Sequence, residues 1–166
     1  MLVRKEFSAD IEAIYALHAA SFPTAGEADL VNALRAARRL SISVVAIDGD
    51  QVIGHVGFSP ITVDGVTSGL GLAPVAVRLD CRQRGIAAGL IRAGLDLCRE
   101  AAIGLVVVLG DTRYYSRFGF EPGRRLALRD EYEGGDAFQA IELVRGTVPS
   151  DGGLVQYASE FASLGV

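Results

Sequence analysis

The 166-residue chain has no tryptophan, one methionine, two histidines, two cysteines and five prolines. Cys81 and Cys98 are too few for a disulfide scaffold, and both are expected to stay as reduced thiols in a cytoplasmic protein. Two histidines and two cysteines, none at ligand spacing, predict no metal site. No apolar run approaches the roughly 20 residues a bilayer span needs, so no membrane partner is expected. The opening MLVRKEFSAD lacks the long apolar stretch of a secretory leader. A formal charge of −4 argues against a generic nucleic-acid binder, which needs a basic face. What is present is a chain 50% hydrophobic and 22% charged, with 20 glycines. That composition supports a buried core, with many tight turns. With no repeat, low-complexity tract or Pro/Ser-rich linker, residues 1–166 are expected to form a single domain, of which 147–166 make a C-terminal strand-and-turn extension.

Hydrophobic spacing predicts the elements. Residues 2–7 suit an edge strand. From 9 to 21, Ile11, Ile14, Tyr15, Leu17 and His18 fall near one helical face. Phe22-Pro23 ends that helix, since the residue before proline is driven out of the helical region. Thr24 and Glu27 have the T-x-x-E spacing of a capping box, expected to open a second helix that carries Leu30, Val31 and Leu34 and runs out near Arg38 and Arg39. Strands at 43–47 and 51–59 flank an Asp48-Gly49 turn, and a further turn lies at Asp64-Gly65. Residues 69–77, GLGLAPVAV, read as a strand in which Pro74, with no N–H to donate, marks a bulge or the end of pairing. Residues 83–101 carry the longest helical stripe (Ile86, Leu90, Ala93, Leu97), ended by Gly104. LVVVL at 105–109 suits a strand buried on both faces. A short helix at 112–118 capped by Asp111, strands at 120–128, 138–145 and 154–157, and an amphipathic turn with Phe161 and Leu164 complete the chain. The order predicts an α/β fold: a mixed, largely antiparallel central sheet of about six or seven strands with helices on both faces. The C-terminal strands would leave an edge on which a second copy could pair as a homodimer.

One segment stands out chemically. In Arg82-Gln83-Arg84-Gly85-Ile86-Ala87 a strand runs into a tight basic turn from which the longest helix opens. The first amides of a helix have no internal acceptors, the helix dipole adds positive charge there, and Gly85 and Ala87 leave the backbone open to an anion. Between 78 and 92, Arg78, Arg82, Arg84 and Arg92 stand against Asp80 alone, a local charge of +3 in a chain of −4. The GK[ST] ending of a nucleoside-triphosphate loop is missing. GLGLAP at 69–74 has dinucleotide-like glycines but no helix directly after them.

The R-x-x-G-x-A spacing at 82–87 resembles the acetyl-CoA loop, [QR]-x-x-G-x-[GA], of the GNAT superfamily of N-acyltransferases. Its neighbours extend the likeness over nearly the whole chain. L-A-P-V-A-V at 72–77 matches the superfamily's splayed fourth strand and LVVVLG its fifth. Tyr114 to Phe120 looks like its Y-x-x-x-G-F. The fragment V-L-G-D-x-x-Y-Y-x-R-F-G-F from Val108, with I-G-H-V-G-F-S-P at 53–60 and G-L-V-Q-Y-x-x-x-F at 153–161, is similar to a bacterial subgroup of predicted N-acetyltransferases. Two positions depart from the pattern: Ala87 replaces a frequent glycine, and the 69–77 strand has no Glu or Asp where many relatives carry a general base.

The resemblance implies acetyl-CoA as co-substrate, no metal, and a V-shaped split between the fourth and fifth strands. Backbone groups of Val75, Ala76 and Val77 would face the pantetheine arm and thioester. An N–H near Val75 would stabilise the developing oxyanion. The amides of Arg82, Gln83, Arg84, Gly85, Ile86 and Ala87 would hold the pyrophosphate. A primary amine, on a small molecule or a protein, would attack directly in a ternary complex, and Tyr115 would protonate the departing thiolate. Helical geometry sets Tyr114 and Phe118 on one packed face and turns Tyr115 away. For the base the sequence leaves Glu27, His55 or a water chain; Glu27 has a capping task, and His55 alternates with apolar residues as a buried histidine does. Asp111 caps the short helix, and Cys81, beside the phosphate turn, is a reactive thiolate near Arg82 or, the commoner case, a passive thiol. The acidic loop 129–136 lies where the superfamily borders its acceptor pocket. It would favour a cationic amine or be an ordinary solvated loop. The alternative to an enzyme is a non-catalytic acyl-CoA-binding sensor.

Overall fold

Residues 42–48 and 51–58 form two strands with continuous buried runs, and they pair antiparallel with each other. In the computed structural model, which describes residues 1–164, the elements are β1 (Leu2–Lys5), α1 (Ile11–Ser21), α2 (Gly26–Ala36), β2 (Ile42–Asp48), β3 (Gln51–Val63), β4 (Thr67–Val77), α3 (Ile86–Glu100), β5 (Leu105–Leu109), α4 (Thr112–Tyr115), β6 (Glu121–Pro122), β7 (Leu128–Asp130), β8 (Phe138–Glu142) and β9 (Gly153–Tyr157). Ladders join the strands in the order β1-β2-β3-β4-β5-β8-β6, with β9 bonded to both β3 and β7. The β4–β5 and β7–β9 pairs are parallel. The fold is the mixed, largely antiparallel α/β arrangement that the sequence predicts.

The chain divides into two compact units, each made of separated segments. The first comprises Met1–Phe58, Ala73–Leu97 and the stretch from Ser159. Here β1, β2 and β3 run antiparallel, with Val3 opposite Ala46 and Val45 opposite His55. Val45 and Ile47 cluster with Ile14 of α1 and Val31 of α2. The residues between them point the other way: a Cβ on Gly54 would stand 3.5 Å from the Cβ of Ala46, 3.1 Å from Ile86 and 2.9 Å from Leu90. The strand period of two thus sends one set of side chains to α1 and α2 and the other to α3. Each aliphatic side chain fully buried there contributes about 1.5–3 kcal/mol.

The second unit comprises Ser59–Leu72 and Cys98–Ala158. Leu70 and Gly71 of β4 pair with Val106 and Val107 of β5. On its other side β5 runs antiparallel to β8 from Leu105↔Glu142 to Leu109↔Phe138. Its core joins Ile61, Val63, Leu105, Val107, Leu128, Phe138, Ala140 and Val155. Gly69 is required by close approach, because a Cβ there would stand 2.6 Å from the carbonyl oxygen of Leu105.

Several sequence expectations are corrected. Thr24 and Glu27 form no capping box: Thr24 Oγ1 accepts the Gly26 N–H at 3.2 Å and α2 starts at Gly26, after an Ala25 N-cap with no side-chain bond. The first hairpin turn is Gly49-Asp50 rather than Asp48-Gly49, because Asp48 pairs with Gln51 and Gly49 takes the positive φ of 63°. Helix α3 opens at Ile86, three residues later than expected, and ends through Ala102 in the left-handed region, not at Gly104. The strand expected at 120–128 breaks into β6, a 3-10 turn at Gly123–Leu126 and the start of β7, since Pro122 cannot continue the ladder and Gly123 packs against the Phe138 ring. Strand β9 pairs with both β3 and β7, while β6 and β7 each have a single ladder partner. The last two residues of the expected tail lie outside the described residues. No helix among the described residues is long and apolar enough to cross a membrane.

Candidate active site

The basic turn before α3 has an unusual backbone. Gln83 and Gly85 both lie in the left-handed region, at φ 64° and 76°. Alternation of hand between successive residues turns neighbouring N–H groups toward one side, the geometry of an anion nest. Among the described residues, the N–H groups of 82–87 donate to no backbone carbonyl, whereas those of Cys81 and Gly89 on either side donate to Arg78 and Gly85. The space is open too, for a Cβ on Gly85 or Gly89 would meet nothing within 4 Å. Arg82 is anchored through Nε to the Val77 carbonyl at 3.2 Å, and Arg84 is exposed. Arg78 is already committed: it binds Asp80 at 2.7 Å and Gln51 at 2.6 Å, and holds the Asp80 carboxyl below its ordinary range. The local excess of positive charge therefore rests on Arg82 and Arg84 more than the sequence count suggests. Cys81 is buried, with Sγ 3.5 Å from Asp80. At the end of β4, Val75 is half-buried and Ala76 and Val77 are buried.

Tyr115 belongs to the second unit. Asp111 caps α4 as the sequence predicts, its Oδ1 accepting the N–H groups of Arg113 at 2.8 Å and Tyr114 at 3.3 Å. The helix lasts one turn before a 3-10 turn follows. Tyr114 and Phe118 pack together at 5.4 Å, as their four-residue spacing predicts, but Tyr115 is not turned away from them. Tyr115 is 8% exposed and packs against Tyr114, Phe118 and Phe120 at centroid distances of 5.1, 6.2 and 5.8 Å. Tyr114 is less buried and carries the Arg117 guanidinium over its face at 4.5 Å. Burial, with a smaller contribution from Tyr114, pushes the Tyr115 phenol up to about 12, so it stays a hydrogen-bond donor across the working pH range.

The two base candidates sit in the first unit in contrasting places. Glu27, freed from the capping box, is half-buried in the first turn of α2. His55 is fully buried and uses both ring nitrogens, with Nδ1 2.8 Å from His18 Nε2 and Nε2 2.8 Å from Ser43 Oγ. Ser43 in turn donates to Glu6, which Arg35 grips through two bonds of 2.9 and 3.0 Å. The carboxylate can only accept, and this fixes every direction: Ser43 donates to Glu6, His55 Nε2–H to Ser43, and His18 Nε2–H to His55. Burial drives His18 down to about 4 and His55 well below its ordinary value, so both rings are neutral. His18, Ser43, Glu6 and Arg35 were not singled out from the sequence for this chain, and no local signal marks it; the two histidines are 37 positions apart.

In the second unit the acidic loop lines a cavity of about 600 Å³ with Asp130, Glu131, Glu133, Asp136, Arg124 and Arg129 among its walls. Among the described residues no group of three or more His, Cys, Asp or Glu could hold a metal ion.

Comparison with known proteins places this arrangement. The family model described as "Acetyltransferase (GNAT) domain" matches residues 3–123. The N-acetyltransferase YhbS of Escherichia coli K12, itself uncharacterised, is 41% identical over 164 residues, 97% of this chain and 98% of the relative. The crystal structure of YhbS from Escherichia coli in complex with CoA superposes with a TM-score of 0.91 at 40% identity, covering 97% of this chain and 91% of that one. A GNAT family acetyltransferase from Brucella melitensis in complex with acetyl-CoA gives a TM-score of 0.81 at 35% identity, covering 96% and 97%. The chain belongs to the GNAT acetyltransferase family.

Proposed function

We propose that the protein is an N-acetyltransferase that uses acetyl-CoA to acetylate a primary amine by direct attack in a ternary complex. The observation that carries this reading is the row of uncommitted N–H groups at 82–87, opening a helix in a chain of this family. Bound acetyl-CoA supplies an activated acyl group, whose transfer breaks a C–S bond and forms a C–N bond. Arg82, Gln83, Arg84, Gly85, Ile86 and Ala87 would hold its pyrophosphate, and backbone groups of Val75, Ala76 and Val77 its arm and carbonyl. Tyr115 donates its phenolic proton to the leaving sulfur. The amine must lose a proton before attack. Glu27 is the more direct acceptor, since His55 has no free lone pair and could take a substrate proton only through His18. Two buried free thiols suit a reducing, cytoplasmic setting.

The test is thiol release from acetyl-CoA in the presence of a panel of primary amines, paired with direct binding of CoA. Turnover with primary but not tertiary amines supports the enzyme. The second reading, an acyl-CoA sensor, is favoured by one observation: β4 (TSGLGLAPVAV) has no carboxylate. Tight CoA binding with no turnover on any amine would establish it.

A further inference from the structure

We propose that Gln139 is a positioning residue for the acid: its side chain fixes the corner from which Tyr115 delivers its proton. The proposal rests on the acetyltransferase reading, with Tyr115 as donor to the leaving sulfur, and adds the residue that aims it. Every group involved lies within the second unit.

The sheet ladder shows why that corner needs a side chain. Strands β5 and β8 pair from Leu105↔Glu142 to Leu109↔Phe138. One more bond follows, from the Gly110 N–H to the Ala137 carbonyl at 3.0 Å. Then the strands part. The chain before Phe138 is a 3-10 turn at Gly135–Ala137, and the chain after Gly110 enters the Asp111 cap of α4. Among the described residues no backbone N–H donates to the Gly110 carbonyl. The Gln139 side chain does so instead, through Nε2 at 3.1 Å, and the same nitrogen reaches the Ala137 carbonyl at 3.4 Å. The two N–H groups of one amide thus close the open end of both strands. Gln139 is itself held firmly, opposite Val108 on β5 and Pro122 on β6, and is 1% exposed. An amide kept that far from water is costly unless bonded, and an apolar side chain would serve if filling space were the whole requirement.

The acid is built on this corner. The Tyr115 ring lies over Gly110. Asp111, next in the chain, accepts the Arg113 and Tyr114 N–H groups on its carboxylate and the Tyr115 N–H on its carbonyl at 3.0 Å. A peptide plane free to turn at Gly110 would shift both the ring's support and the cap. A displacement of about 1 Å is enough to slow a positioned reaction about 100-fold.

Thiol release from acetyl-CoA by the full chain, with hexylamine and separately with water as acceptor, tests this. Gln139→Met keeps the length and removes both donors. Its kcat should fall about tenfold, with KM for acetyl-CoA within about threefold of the wild type. In a Tyr115→Phe background, where no phenolic proton is delivered, the same change should cost less than about twofold, because residues that act as a unit are not additive. A residue serving the fold alone would cost the same in both backgrounds. That result overturns the proposal, as does an unchanged kcat in Gln139→Met. Gln139→Glu gives a second readout should the Met variant fail to fold. Its protonated carboxyl can donate to the Gly110 carbonyl and its carboxylate cannot. Its kcat relative to the wild type should therefore fall as pH rises, and only where Tyr115 is present; a ratio flat with pH overturns the proposal. A slowed Tyr115→Phe with equal losses in both backgrounds sinks the positioning role alone. A fully active Tyr115→Phe sinks the acid reading, and the proposal with it.

Discussion

The ring of Tyr115 lies over Gly110 so closely that any Cβ at that position would collide with it. Gly110 follows β5 directly, and its lack of a side chain lets the phenol fold back onto the strand end under Phe118 and Phe120. The proposed acid is therefore held by packing, its ring fixed and its proton retained by burial. Tyr115→Phe keeps the packing and deletes the proton. Turnover should fall about 100-fold or more, with CoA affinity within a few-fold of the wild type. Steady-state kinetics with a calorimetric CoA titration decide it; full activity would remove the assignment.

Gly85 combines a φ of 76° with empty space around its missing Cβ. Gly85→Glu should lower stability by about 1 kcal/mol through backbone strain, and should abolish measurable CoA binding by placing bulk and negative charge before the free amides. A folded Gly85→Glu protein that still binds CoA well would show that the diphosphate site lies elsewhere.

The histidine pair makes stability depend on pH. The folded-state values of His18 and His55 lie below the ordinary 6.5, His18 at about 4. Each therefore takes up a proton on unfolding. The stability they contribute is complete above about pH 6.5 and is lost as pH falls toward 4. For His18 that window corresponds to about 3 kcal/mol. Tm should drop steadily between pH 7 and pH 5, and His18→Gln should flatten the slope. An unchanged Tm across that range would contradict the buried, neutral pair.

At Gly94 of α3 a Cβ would overlap the ring of Phe58. Gly94→Ala raises helix propensity yet should destabilise the protein by about 1–3 kcal/mol, because the ring has to move out of a packed core. Urea unfolding measures the sign; a stabilised variant would mean that the ring is free to yield.

Much of this protein could be read locally. The apolar periods of α1, α3 and β5, the Asp111 cap and the basic turn ahead of the longest helix depend on neighbours within a few positions, where spacing and backbone sterics act directly. The same local logic failed at Thr24 and Glu27. The T-x-x-E spacing was present, but the Thr24 hydroxyl satisfies the amide two residues on and the helix starts after it. It failed again at 120–128, where Pro122 and the ring of Phe138 decide the path.

Charge count, turn chemistry and hydrophobic rhythm set the type of fold and pointed to the amides at 82–87. Long-range packing alone decided that His18 meets His55, that Tyr115 rather than Tyr114 is the buried ring, and that Asp130 is left with one oxygen unpartnered among the described residues. The reason is that hydrogen-bond partners and burial are properties of residues brought together by the fold, and positions 37 or more apart carry no mark of one another along the chain.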